Sequence, residues 1–135
     1  MTVLRPTTLA CIAVLSLAAG VGCGSSKSSD SPSGAGTSKQ DSAAKASAIQ
    51  LQAELEACFV DQQTYAACKK PPGTQQTLGS SAGQVEVSAA SDAGYTIVAH
   101  SQSGADFTLV KDATGTLTRT CDKSKKGGCN ADGTW

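Results

Sequence analysis

An α+β fold, with one N-terminal amphipathic helix packed on a four-stranded antiparallel meander, follows from three features of the sequence. Apolar residues recur at three- and four-residue intervals between positions 44 and 59, the period of one helix face. Four short alternating segments between positions 84 and 121 are separated by Gly, Asp and Ser clusters, the mark of consecutive hairpins. Ahead of both, an apolar run over 9–22 gives way at Cys23 to a polar stretch without periodicity. The predicted organisation is an address segment over 1–22, a linker over 23–40 and one folded domain over 41–135.

The opening "MTVLRPTT" carries a single arginine, and "LACIAVLSLAAGVG" follows from Leu9 to Gly22. About 14 apolar or small residues fall short of the roughly 20 that span a bilayer, but they fit the h-region of a secretory signal. A plain signal explains Gly20, Val21 and Gly22 and leaves Cys23 unexplained. The stretch resembles a bacterial lipoprotein signal, in which small or aliphatic residues precede an obligatory cysteine. The resemblance implies a thioether-linked diacylglycerol on Cys23 and cleavage just before it. Val21 and Gly22 match that pattern; Gly20 stands where leucine is usual. Ordinary secretion with Cys23 free and a retained hydrophobic anchor are the weaker readings. Cys11 lies inside the signal and leaves with it. Two acyl chains anchor stably where one is marginal.

"GSSKSSDSPSGAGTSKQ", residues 24–40, is mostly Ser, Gly and other polar residues and cannot offset its ordering entropy by burial. It reads as a disordered tether with a root-mean-square span of roughly 20–25 Å. The helix is predicted next, over "DSAAKASAIQLQAELEACFVDQQTYAACKK", with Asp41 or Ser42 as its N-cap. Ala44, Ala48, Leu51, Leu55, Cys58 and Phe59 form its apolar stripe, and Lys45, Gln52, Glu54 and Glu56 fall largely off it. Consecutive prolines in "KKPPG" (69–73) end it.

Strands follow. "QVEVSA" (84–89) places Val85, Val87 and Ala89 on one face, and "YTIVAHS" (95–101) places Tyr95, Ile97 and Ala99 there. "FTLVKD" (107–112) and "GTLTRTC" (115–121) complete the meander. A half-buried sheet needs a cover on its apolar face, and the helix is the one candidate.

The helix, the pattern "GYTIVAHSQSGADFTLVKDATGTLTRTC" and the closing "GGCNADGTW" resemble the globular part of bacterial type IV pilins and pseudopilins over about residues 41–135. That resemblance implies a pilin-like fold with structural or interaction roles. At the N-terminus the chain departs from the family. It has neither the Phe-Thr-Leu-Ile-Glu-type start nor the long hydrophobic helix that packs a filament core, so the resemblance supports the fold and not filament assembly.

Six cysteines among 135 residues suit a small core in need of covalent staples. In an exported domain Cys58, Cys68, Cys121 and Cys129 read as disulfides. Four cysteines allow three pairings. Nearness along the chain, together with the C-terminal loop closure that the resemblance implies, favours Cys58–Cys68 and Cys121–Cys129. A four-cysteine zinc site fits poorly, because it wants paired ligands two to four residues apart.

Eleven basic residues balance eleven acidic ones, which gives no global pull towards nucleic acid or anionic lipid. His100 is the one histidine. As a general base it needs a nucleophile or carboxylate in reach, and the nearby Ser101, Ser103 and Asp106 are also ordinary hairpin-end residues. No HExxH or phosphate-loop motif occurs, and "GSSAG" (79–83), which has the letters of GxSxG, reads as turn chemistry; the reading is not an enzyme, with no cofactor beyond the lipid and no metal. Arg119, Lys123, Lys125 and Lys126 cluster in or beside the predicted C-terminal loop, with Lys69 and Lys70 at the same end, as a candidate interaction loop. A DNA groove wants aromatics among such charges, and only Trp135 is near. The expected protein is a non-catalytic cell-surface lipoprotein, exported and held on the outer face of the bacterial cell membrane. Its expected partners are the membrane, through the lipid, and pilus, secretion or envelope proteins. The alternatives are a minor pilin or pseudopilin of a pilus or type II secretion system, and a surface module for a small ligand, DNA or acidic polymer.

Overall fold

The computed structural model describes residues 32–122 and 128–135. One helix, α1 (Pro32–Gln62), lies across a sheet of β1 (Val85–Ala90), β2 (Tyr95–His100), β3 (Asp106–Lys111) and β4 (Leu117–Cys121). The strand order is β1-β2-β3-β4 and every neighbouring pair is antiparallel, so the sheet is the predicted meander. Among the described residues no helix is long and apolar enough to cross a membrane.

The stripe on α1 is the core face. Ala48, Leu51 and Leu55 are fully buried, and they pack with Ile97, Ala99, Phe107 and Leu109 of the sheet. Burying a Leu or Phe side chain stabilises by about 1.5–3 kcal/mol, so this layer holds helix to sheet.

α1 begins at Pro32, nine residues before the predicted start at Asp41, and takes in residues 32–40 of the predicted tether. Proline suits a first helical position because its missing N–H is unpaired there anyway. Once the packed part of α1 is nucleated, each added residue costs little. Asp41 is therefore not a cap. It sits inside the helix, 2% exposed.

The helix also ends early, at Gln62 rather than at the prolines. Gln63 takes a left-handed conformation, with φ of 57°, and its N–H returns to the Phe59 carbonyl at 2.8 Å, a common helix stop. The 3₁₀ turn Tyr65–Cys68 then folds back, with Thr64 accepting the Ala66 N–H at 3.2 Å. Cys68 bonds to Cys58, and Tyr65 stacks on Phe59 with ring centroids 4.4 Å apart.

β1 also departs from the expected alternation. Its register on β2 shifts between Val87 and Ala89. The extra residue, Ser88, is a β-bulge, which turns the following side chains to the other face. Ala89 is consequently exposed, and Ala90 joins Val87 beside the core. Cys121 and Cys129 form the second disulfide, so both pairings agree with the expectation.

Candidate functional site

Three polar constellations and one cleft are built on this frame. The first joins the N-terminal half of α1 to the β2–β3 turn. Ser101 donates its hydroxyl to Asp41 Oδ1 at 2.6 Å, and Ser103 donates to the same oxygen. Ser101 is also buried. One turn along α1, Lys45 donates to the Gly128 carbonyl at 2.9 Å and lies 5.0 Å from the Phe107 ring centre. The helix thus holds the chain just before Cys129.

The second constellation closes the other half of the interface. Glu56 accepts hydrogen bonds from Tyr65 (2.6 Å), Tyr95 (2.9 Å) and both ways from Lys111 (2.8 and 2.9 Å). Burial pushes the Glu56 carboxyl up, but the hydrogen bonds from Lys111, Tyr65 and Tyr95 outweigh it and hold it below the ordinary carboxylate range. Those same bonds to Glu56, with that to Tyr65, raise the Lys111 ammonium. Desolvation and the bond to Glu56 raise the Tyr95 phenol. Lys111 also lies over the Tyr65 ring, 5.1 Å from its centre.

The third lies on the sheet face turned away from α1. His100 Nδ1 is 2.8 Å from Asp106 Oδ1, and His100 Nε2 is 3.5 Å from Glu86 Oε1. Ser101 and Ser103 do not join His100, because alternation along the strand turns Ser101 to Asp41 on the opposite face. Among the described residues this histidine–carboxylate pair has no hydroxyl hydrogen-bonded to it.

The cleft, of about 450 Å³, runs between the start of α1 and the end of the sheet, where Gly36, Gln40, Ala43 and Ser47 face Gly83 and Gln102. It opens because α1 starts at Pro32 and overhangs the sheet.

The basic cluster divides. Arg119 lies on edge strand β4, its guanidinium 5.3 Å from the Trp135 ring centre. Trp135 in turn packs edge-on to Phe107 at 5.9 Å and donates to the Thr108 carbonyl. Lys69 and Lys70 border a hollow along β1 with Leu78 and Glu86, at the opposite edge of the sheet, so they do not extend the Arg119 end. The fold-back at Gln63 sends them there. Lys123, Lys125 and Lys126, like Cys23, lie outside the described residues.

Asp41, Glu56 and Lys111 were missed as linchpins. Asp41 has the pattern of a cap and the other two look like solvated charges when read along one element, and only the pairing of elements shows their partners. No protein-family model, curated protein or solved structure matches this chain.

Proposed function

We propose that the protein is a non-catalytic cell-surface lipoprotein, in which a diacylglycerol on Cys23 holds a pilin-like interaction domain at the outer face of the bacterial membrane. The observation that carries this reading is the sequence "LAAGVGC" at the junction of an apolar segment and a polar one. Two disulfides in the folded part are compatible with an oxidising compartment. A single helix laid on a four-stranded meander is compatible with a pilin-like domain. The surface at Arg119 and Trp135 is the proposed contact for a pilus, secretion or envelope partner.

Shearing intact cells and following the native protein by fraction tests this reading. Retention in the detergent-soluble membrane is expected. Release with sheared filaments would instead make the protein a minor pilin or pseudopilin. The cleft beside Gln40 favours a second reading, a surface module for a small ligand. Its volume lies in the range of small-molecule sites, and a fragment screen by ligand-observed NMR that finds no binder there would dispose of it.

A further inference from the structure

The cleft beside the start of α1 has a lining that discriminates among small ligands. Its walls are Gly36, Ala43, Ala44 and Gly83, which offer methyl groups and bare backbone and leave a slender apolar slot. Gly83 has a φ of 83°, and a Cβ there would come 3.2 Å from Gln102 Nε2, so the glycine is what lets the Gln102 amide lie against the cleft. Gln40 and Ser47 add a second amide and a hydroxyl from α1. Among the described residues the side chains of Gln40, Ser47 and Gln102 have no hydrogen-bond partner. Lys39 stands at the rim, exposed, and among the described residues it has no ion-pair partner. No Asp or Glu of the described residues lines the cleft, and the neighbouring Asp41 carboxylate is taken up by Ser101 and Ser103.

We propose that this cleft binds a small aliphatic carboxylate, with the carboxylate at the Lys39 end and the alkyl chain along Ala43, Ala44 and Gly83. The inference rests on the second reading above, a module for a small ligand, and names the class of ligand. A mostly apolar slot with a few uncommitted polar groups is the usual make-up of a small-molecule site. An ammonium, two amides and a hydroxyl can all donate hydrogen bonds, so an acceptor-rich anion finds partners and a cation finds none. One rim ammonium balances one negative charge, which suits a carboxylate better than a phosphate carrying about 1.5–2 charges. No Phe, Tyr or Trp of the described residues lines the slot, so it lacks the stacking platform that a nucleobase or other flat ring would use.

The test is a titration of the isotope-labelled full-length chain, in nanodiscs of a zwitterionic lipid, with octanoate, octan-1-ol and octylammonium. The readout is the amide resonances of Gly36 and Gly83 and the methyl resonance of Ala43, which separate binding in the cleft from partition into lipid. The expected result is that octanoate moves all three together, octanol moves them only at higher concentration, and octylammonium leaves them in place. Lys39→Gln weakens octanoate by about 3–5-fold, the loss of one exposed ion pair, and leaves octanol unchanged. Ala43→Phe, at an exposed helix position, fills the slot and abolishes both, and an unchanged thermal melt keeps that loss separate from unfolding. Octanol binding as tightly as octanoate, or octanoate binding undiminished in Lys39→Gln, would overturn the carboxylate class and leave the ligand cleft standing. No movement with any of the three probes would overturn the class and the cleft together.

Discussion

Asp41 and Glu56 lie fifteen residues apart on the same helix, and each carboxylate ties α1 to the sheet, but their surroundings differ. Asp41 is 2% exposed and is held by the hydroxyls of Ser101 and Ser103, and among the described residues it has no ion-pair partner. The Glu56 side chain is 38% exposed and has a full ammonium partner in Lys111, with two phenols in support. Water can replace a lost bond at Glu56 and cannot easily do so at Asp41. An unsatisfied buried hydroxyl costs about 1–3 kcal/mol, whereas an exposed ion pair contributes about 0–1 kcal/mol. The buried hydroxyl–carboxylate contact should therefore matter more to stability than the salt bridge with the longer list of bonds.

Truncating the buried end breaks that comparison most severely. Asp41→Ala strands the Ser101 hydroxyl in the core and is expected to cost about 2–4 kcal/mol in chemical denaturation. Asp41→Asn keeps an acceptor oxygen and should cost less than half as much. Equal losses in the two variants would mean that charge, not hydrogen bonding, is what the serines answer.

The covalent link at the Glu56 end comes next. Replacing Cys58 and Cys68 together by serine opens a loop closed across a separation of 10 residues, worth roughly 2–3 kcal/mol in the chain-entropy model. The melting temperature of this variant under non-reducing conditions is expected to fall. Its Glu56 network should then become the weaker half of the interface to hydrogen exchange, ahead of the turn at Ser101.

The smallest effect belongs to Glu56 itself. Glu56→Gln should cost about 1 kcal/mol or less near neutrality, because solvent screens the pair. Its signature is pH. A carboxyl held below its unfolded value contributes stability that is fully present above about pH 5 and is lost as pH falls through the folded pKa. The wild type should lose this increment below about pH 4, and the Gln variant should not. On the alkaline side the raised Lys111 and Tyr95 groups act in the opposite sense. Their contribution is present below about pH 10 and fades above it. Acid melts of wild type and variant that stay parallel would remove Glu56 from the account.

These contrasts show where sequence reading works. The α1 stripe and the alternation in β2 and β3 were legible, because helix and strand periods repeat several times along each element. Ser88 was not, since Val85, Val87 and Ala89 keep a regular alternation on paper while the backbone inserts one residue between them. Asp41 before an alanine-rich run has the pattern of a cap, and nothing local separates it from a buried acceptor. Its partners lie 60 and 62 residues away. The stop at Gln63 was equally hidden, since a left-handed glutamine carries no signal of the kind that Pro71 and Pro72 give. His100 and Asp106 are six residues apart, and only the hairpin register sets them opposite each other.

Lipidation of Cys23 is what holds the domain at the membrane, and the intact mass of the protein extracted from native membranes tests it most directly. A chain that starts at Cys23 and carries the added mass of a diacylglycerol, with or without a further acyl group, is the predicted result. A mass that still includes residues 1–22, or an unmodified cysteine at the new N-terminus, would contradict it.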